Sequence, residues 1–190
     1  MLPYLQHTSS GPRIILQICQ NTLVEAASFS SINFYLAAPI CSAGSRDLEQ
    51  AESELGCRFP TDYRDFIIEF GSGEFDKMPM RAEPPRCISL NTEADRSRLR
   101  EYWFWDNSPD VWSQQLAVES VMCFGSWNGD DIRFHPSDPE TYYILPHGED
   151  VIYRLRSFDE LVTHFCTHRP YTKSGLIFRP HKPEELARIK

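Results

Sequence analysis

Apolar residues recur at helical spacing in two neighbouring stretches of the chain. Leu48, Ala51 and Leu55 fall at i, i+3 and i+7 with Gly56 behind them, which predicts a short amphipathic helix starting at Arg46. After Phe59-Pro60, the residues Tyr63, Phe66, Ile67 and Phe70 fall at i, i+3, i+4 and i+7. Asp62 and Asp65 load the first turns of this second helix and Gly71 stops it. The segment Ser72 to Arg86 carries Gly73, Pro79, Pro84 and Pro85 and reads as a linker, leading into a short strand Cys87-Ile88-Ser89-Leu90. A charged helix is expected over Thr92 to Phe104, with Leu99, Tyr102 and Trp103 on one face and Arg96, Arg98 and Arg100 solvated on the other.

Beyond the turn Trp105-Asp106-Asn107-Ser108-Pro109, four runs read as strands: Ala117 to Phe124, Asp131 to His135, Thr141 to Leu145 and Asp150 to Leu155. Turn residues at Gly125 to Asp130, Pro136 to Pro139 and Pro146 to Gly148 space them as an antiparallel meander. Ser157-Phe158-Asp159-Glu160 is a capping box, and Phe158, Leu161, Val162 and Phe165 give the helix it opens a buried stripe. The expected fold is therefore α+β: N-terminal helices packed on a mainly antiparallel sheet, with a closing C-terminal helix.

Charge divides the chain. Residues 1–44 carry only Arg13 and Glu25, so the whole net charge of −8 belongs to residues 45–190. This step suggests three parts: a low-charge extension over 1–44 that need not be ordered, a domain over 45–170, and a tail over 171–190. The longest nearly apolar stretch, Phe34 to Cys41, is far shorter than the ~18 residues of a spanning helix, and no Lys or Arg occurs in the first twelve residues. Six cysteines without a CxxC pair fit a reduced, cytoplasmic protein. The acidic balance argues against direct binding of nucleic acid and favours a basic partner.

Candidate catalytic groupings are thin. His164 and His168 share a helix face at i and i+4, but Cys166 points elsewhere and no third ligand is indicated nearby, so the group reads as a helix end and no metal or other cofactor is expected. Asp130, Asp131, His135 and His147 contain the residue types of a metal-assisted hydrolase, but as placed they read as turn residues. Gly71-Ser72-Gly73 lacks the lysine and preceding strand of a phosphate cradle.

The order of the motifs is more informative than any one of them. Leu48-Glu49-Gln50-Ala51-Glu52-Ser53-Glu54-Leu55-Gly56-Cys57-Arg58-Phe59-Pro60-Thr61-Asp62-Tyr63-Arg64-Asp65-Phe66 resembles the opening signature of the SUKH superfamily, and Ile67 to Gly73 continues it. Phe124-Gly125-Ser126-Trp127-Asn128-Gly129-Asp130-Asp131 resembles the family's central turn, and Ser157 to Leu161 its closing helix. The resemblance spans 47–165. It implies a non-catalytic protein-binding domain, either a bacterial immunity protein that neutralises a polymorphic toxin, often a nuclease, or a regulatory scaffold of the fungal cell-wall regulator (Smi/Knr) type. The expected partner is a cognate toxin domain or another protein, with no membrane. Trp is favoured in desolvated contacts and carboxylates complement a basic groove. The candidate partner-binding residues are therefore Glu74, Asp76, Trp103, Trp105, Asp106, Asp110, Trp127, Asp130 and Asp131.

Overall fold

Glycine and proline bound the first helices where the sequence placed them. The computed structural model describes residues 15–19, 22–29, 32–38, 45–126, 128–168 and 175–188, with side chains for 27–167 and 175–188 within these ranges. Helix α1 (Ser45–Leu55) stops at Gly56, and α2 (Thr61–Phe70) stops at Gly71, whose N–H donates to the Ile67 carbonyl at 3.0 Å. Both glycines take positive φ, 69° and 75°, where a side chain would be strained. Pro60 is the N-cap of α2, and Glu140 accepts the otherwise orphaned Thr61 N–H at 3.2 Å.

Strands β1 (Ile15–Cys19), β2 (Thr22–Phe29), β3 (Ile32–Leu36), β4 (Gly73–Phe75), β5 (Arg81–Ala82), β6 (Val121–Gly125), β7 (Asp131–His135), β8 (Asp138–Leu145), β9 (Tyr153–Leu155) and β10 (Leu176–Pro180) form one sheet. Its order is β1-β2-β3-β10-β4-β5-β6-β7-β8-β9, antiparallel throughout except where β10 runs parallel to β3. Helices α3 (Pro85–Glu101), α4 (Gln114–Glu119), α5 (Phe158–His168) and α6 (Pro183–Leu186) complete an α+β fold.

The alternation of β8 separates two cores. Tyr142 and Ile144 join the main core, where Tyr63, Phe66 and Phe70 of α2 and Phe158, Leu161 and Phe165 of α5 pack on Phe34, Phe75, Phe124, Phe134 and Phe178. Tyr143 and Leu145 join a smaller cluster with Leu99, Trp105, Trp112, Ala117 and Ile152. The Ser157 hydroxyl caps α5 by accepting from Glu160 N at 3.2 Å. The Glu160 carboxylate reaches past Ser157 to accept from Arg156 N at 2.7 Å, so the capping box closes one residue early.

Several expectations are corrected. Cys87 to Leu90 is not a strand but the first turns of α3, because Pro84 and Pro85 start a helix and Ile88, Thr92 and Leu99 continue its buried period. That helix ends at Glu101, short of Phe104. Ala117 to Phe124 is not one strand: Ser113 caps α4 by accepting from Leu116 N at 3.3 Å, and the strand begins only at Val121. The run 150–155 keeps strand structure only at Tyr153–Leu155, and the linker 72–86 holds β4 and β5. The low-charge lead contributes β3, which buries Ile32, Phe34 and Leu36, and the tail contributes β10, which buries Leu176 and Phe178. Residues 1–14, 20–21, 30–31, 39–44, 171–174 and 189–190 of those two segments lie outside the described residues.

Candidate functional site

The last turn of α3 passes into extended backbone at Tyr102 (φ −124°, ψ 106°), and exposure then alternates along the aromatic run. Trp103 is half-buried and Trp105 buried, whereas Tyr102 and Phe104 point outward, 62% and 46% exposed. Trp105 is the anchor: its Nε1–H donates to the Pro146 carbonyl at 3.1 Å, Trp103 meets it edge-on at 5.3 Å, and the Phe104 ring stacks on it at 3.9 Å. Trp112 stacks on Tyr143 at 4.2 Å, nearly parallel.

Polar bonds fasten this loop to the one between β8 and β9. Ser108 Oγ accepts from Ile152 N at 2.9 Å, and the Ser108 carbonyl accepts from Val111 N and Trp112 N, each at 3.0 Å. The Asn107 amide donates to the Asp150 carboxylate. The two loops therefore form one surface. Five of the seven large apolar side chains exposed among the described residues belong to it or adjoin it: Tyr102, Phe104, Val111, Leu116 and Val151. Segments 101–116 and 146–152 contain no Lys or Arg, and their acids Glu101, Asp106, Asp110, Glu149 and Asp150 are all exposed. A surface that combines exposed apolar side chains with acids and no Lys or Arg is suited to docking a protein surface of the opposite sign.

The expected site residues divide between this face and the framework. Asp106 and Asp110 lie on it, and Trp103 straddles its edge with Nε1–H donating to Asp106 Oδ1 at 2.9 Å. Trp105 supports the face from within. Asp130 is 2% exposed: its Oδ1 accepts from His147 N at 2.9 Å and its own N–H donates to Ser126 Oγ at 2.8 Å, bracing the β6–β7 turn against the β8–β9 loop. Glu74 and Asp76 are exposed at β4, four strands from β8 in the sheet order, or about 19 Å. Asp76 grips Arg179 through two bonds of 2.6 and 2.7 Å, and the bonded guanidinium holds its carboxyl below the usual range. Trp127 lies outside the described residues. The outward aromatics Tyr102 and Phe104 and the acids Glu149 and Asp150 are absent from the sequence expectation. The alternation of Tyr102-Trp103-Phe104-Trp105 carries the signal, but Leu99, Tyr102 and Trp103 also satisfy a helical spacing that hides it.

Asp131 belongs to a charge network beneath the sheet's second face. Arg133 is completely buried, with Nη2 2.6 Å from Asp95 Oδ2, Nη1 3.4 Å from Asp131 Oδ2 and Nε–H donating to Ser120 Oγ at 2.7 Å. Arg98 bonds both carboxylates from the solvent side, lying 2.8 Å from Asp95. Burial by itself pushes the Asp95 carboxyl upward, but Arg133 and Arg98 outweigh it and hold the group below its ordinary value. The grouping with hydrolase residue types does not assemble: Asp131 opens β7 in this network, while His135 closes it, bonded through Nδ1 to Ser137 Oγ at 2.7 Å. Among the described residues, no group of three or more His, Cys, Asp or Glu could hold a metal ion. Nor is any described helix long and apolar enough to cross a membrane.

Compared with known proteins, residues 43–164 match the model of the SMI1 / KNR4 family (SUKH-1). No curated protein and no solved structure matches the chain.

Proposed function

We propose that this chain, which belongs to the SMI1 / KNR4 family (SUKH-1), is a non-catalytic protein-binding module that serves as an immunity protein, occluding a basic toxin domain of nuclease type. The observation that carries this reading is the face built by 102–116 and 146–152. It combines exposed aromatic and aliphatic side chains with exposed acids and has no Lys or Arg in either segment. A nuclease must present cations to phosphate. An acidic surface with aromatic anchors covers such a groove by charge and by burial together.

Mixing the full chain with the purified toxin domain encoded beside it tests the reading. The expected product is a stoichiometric complex that abolishes nuclease activity. Its affinity should fall at least about tenfold as salt rises from about 0.05 to 0.5 M, because screening acts on the exposed acids. No complex, or a complex indifferent to salt, contradicts the proposal.

A further inference from the structure

We infer that the outer face of Phe104, together with the Asp106 carboxylate, receives an arginine side chain of the partner. This rests on the docking reading above and specifies its chemistry. One face of the Phe104 ring lies on Trp105 at 3.9 Å and 28°, yet the residue is 46% exposed, which leaves the ring's opposite face for solvent. An aromatic face is electronegative, and a guanidinium is the planar, weakly hydrated cation that stacks on it. Two residues on, Asp106 uses Oδ1 to accept from Trp103 Nε1 at 2.9 Å and has no other partner among the described residues, which leaves Oδ2 for a charge-assisted bond.

Among the described residues, no cation is recorded against Phe104 or Asp106. Arg98 is committed to Asp95 and Asp131, and Arg100 lies 2.9 Å from Glu93. Charge complementarity therefore selects the occupant from outside. The stack adds what a lysine ammonium would not use, a flat surface matched to a flat cation.

The test titrates acetyl-Gly-Arg-Gly-amide, its citrulline counterpart and its lysine counterpart into the full chain, following the Trp103 indole N–H by NMR. The arginine peptide should shift that resonance saturably and bind about tenfold more tightly than the citrulline peptide, with lysine between them. Phe104→Ala and Asp106→Asn should each weaken the arginine peptide by about tenfold while the chain stays folded, and Phe104→Tyr should retain binding. No saturable shift, equal binding of arginine and citrulline, or binding that survives Phe104→Ala overturns the inference. If the whole toxin domain still binds Phe104→Ala with full affinity while the peptide arm fails, the arginine contact is wrong and the docking reading stands. If neither binds the unaltered chain, both fall.

Discussion

Replacing Arg133 with alanine is expected to lower the unfolding free energy by about 3–5 kcal/mol, the usual consequence of removing one partner from a buried ion pair. The side chain is wholly inaccessible to solvent, and its guanidinium joins α3 to β7 and to the end of α4 through Asp95, Asp131 and Ser120. Without it, Asp95 keeps only Arg98, which approaches from the solvent side. The network also fixes the direction of the acid response. The folded pKa of Asp95 lies below its unfolded value of about 3.9, so the native state binds fewer protons near that pH. Its contribution is fully present above the unfolded value and is lost as pH falls through the folded one. Urea unfolding at pH 7 and about pH 3 should show a loss on acidification that is smaller in Asp95→Asn. An Arg133→Ala variant as stable as the parent, or an acid response unchanged in Asp95→Asn, contradicts this role.

A methyl group at Gly73 should have a comparable effect for a different reason. Its Cβ would fall inside the contact radius of the Arg179 carbonyl oxygen, 2.9 Å from the Arg179 carbonyl carbon and 2.7 Å from Phe178 Cζ. Two of these atoms are backbone and cannot rotate away. Relief requires β4 and β10 to separate, although Gly73 pairs with Pro180 and Phe75 with Phe178 in that ladder. Because β10 also carries β3, separation loosens the packing of Phe34 and Phe178 as well. Gly73→Ala should therefore cost about 3 kcal/mol, at the upper end of overpacking effects, and make residues 175–188 the first site of limited proteolysis. Parent-like stability and an intact C-terminal segment under protease would show that β10 is not held as described.

How much of this was legible depended on element length and punctuation. Helices α1, α2 and α5 were readable because each combines an apolar period with a Gly stop or a Ser cap. Strands β4 and β5, three and two residues long, contain too little alternation to register. The run Cys87 to Leu90 is apolar enough for either helix or strand, and only the two prolines before it decide the matter. β3 alternates clearly, with Ile32, Phe34 and Leu36 inward, but the lack of charge around it suggested an extension. What no local pattern conveys is that β10, more than 130 residues later, is its neighbour.

The surface proposed for docking was half legible for a related reason. Composition indicates where acids and aromatics occur, and it singled out Trp103, Asp106 and Asp110, which lie on or beside the surface proposed for docking. It does not indicate which way each points. Trp105 and Asp130 proved to be framework because a Pro146 carbonyl and a His147 amide, contributed by a distant loop, satisfy them.

The central claim is that a protein partner covers the surface of 102–116 and 146–152. Amide hydrogen exchange of the full chain, free and bound to the protein partner that the proposed function predicts, tests it most directly. The account predicts new protection concentrated in those two segments, with α1, α2 and the β4–β10 pair unchanged. Protection elsewhere, with exchange at 102–112 unaffected by a partner that binds, would contradict it.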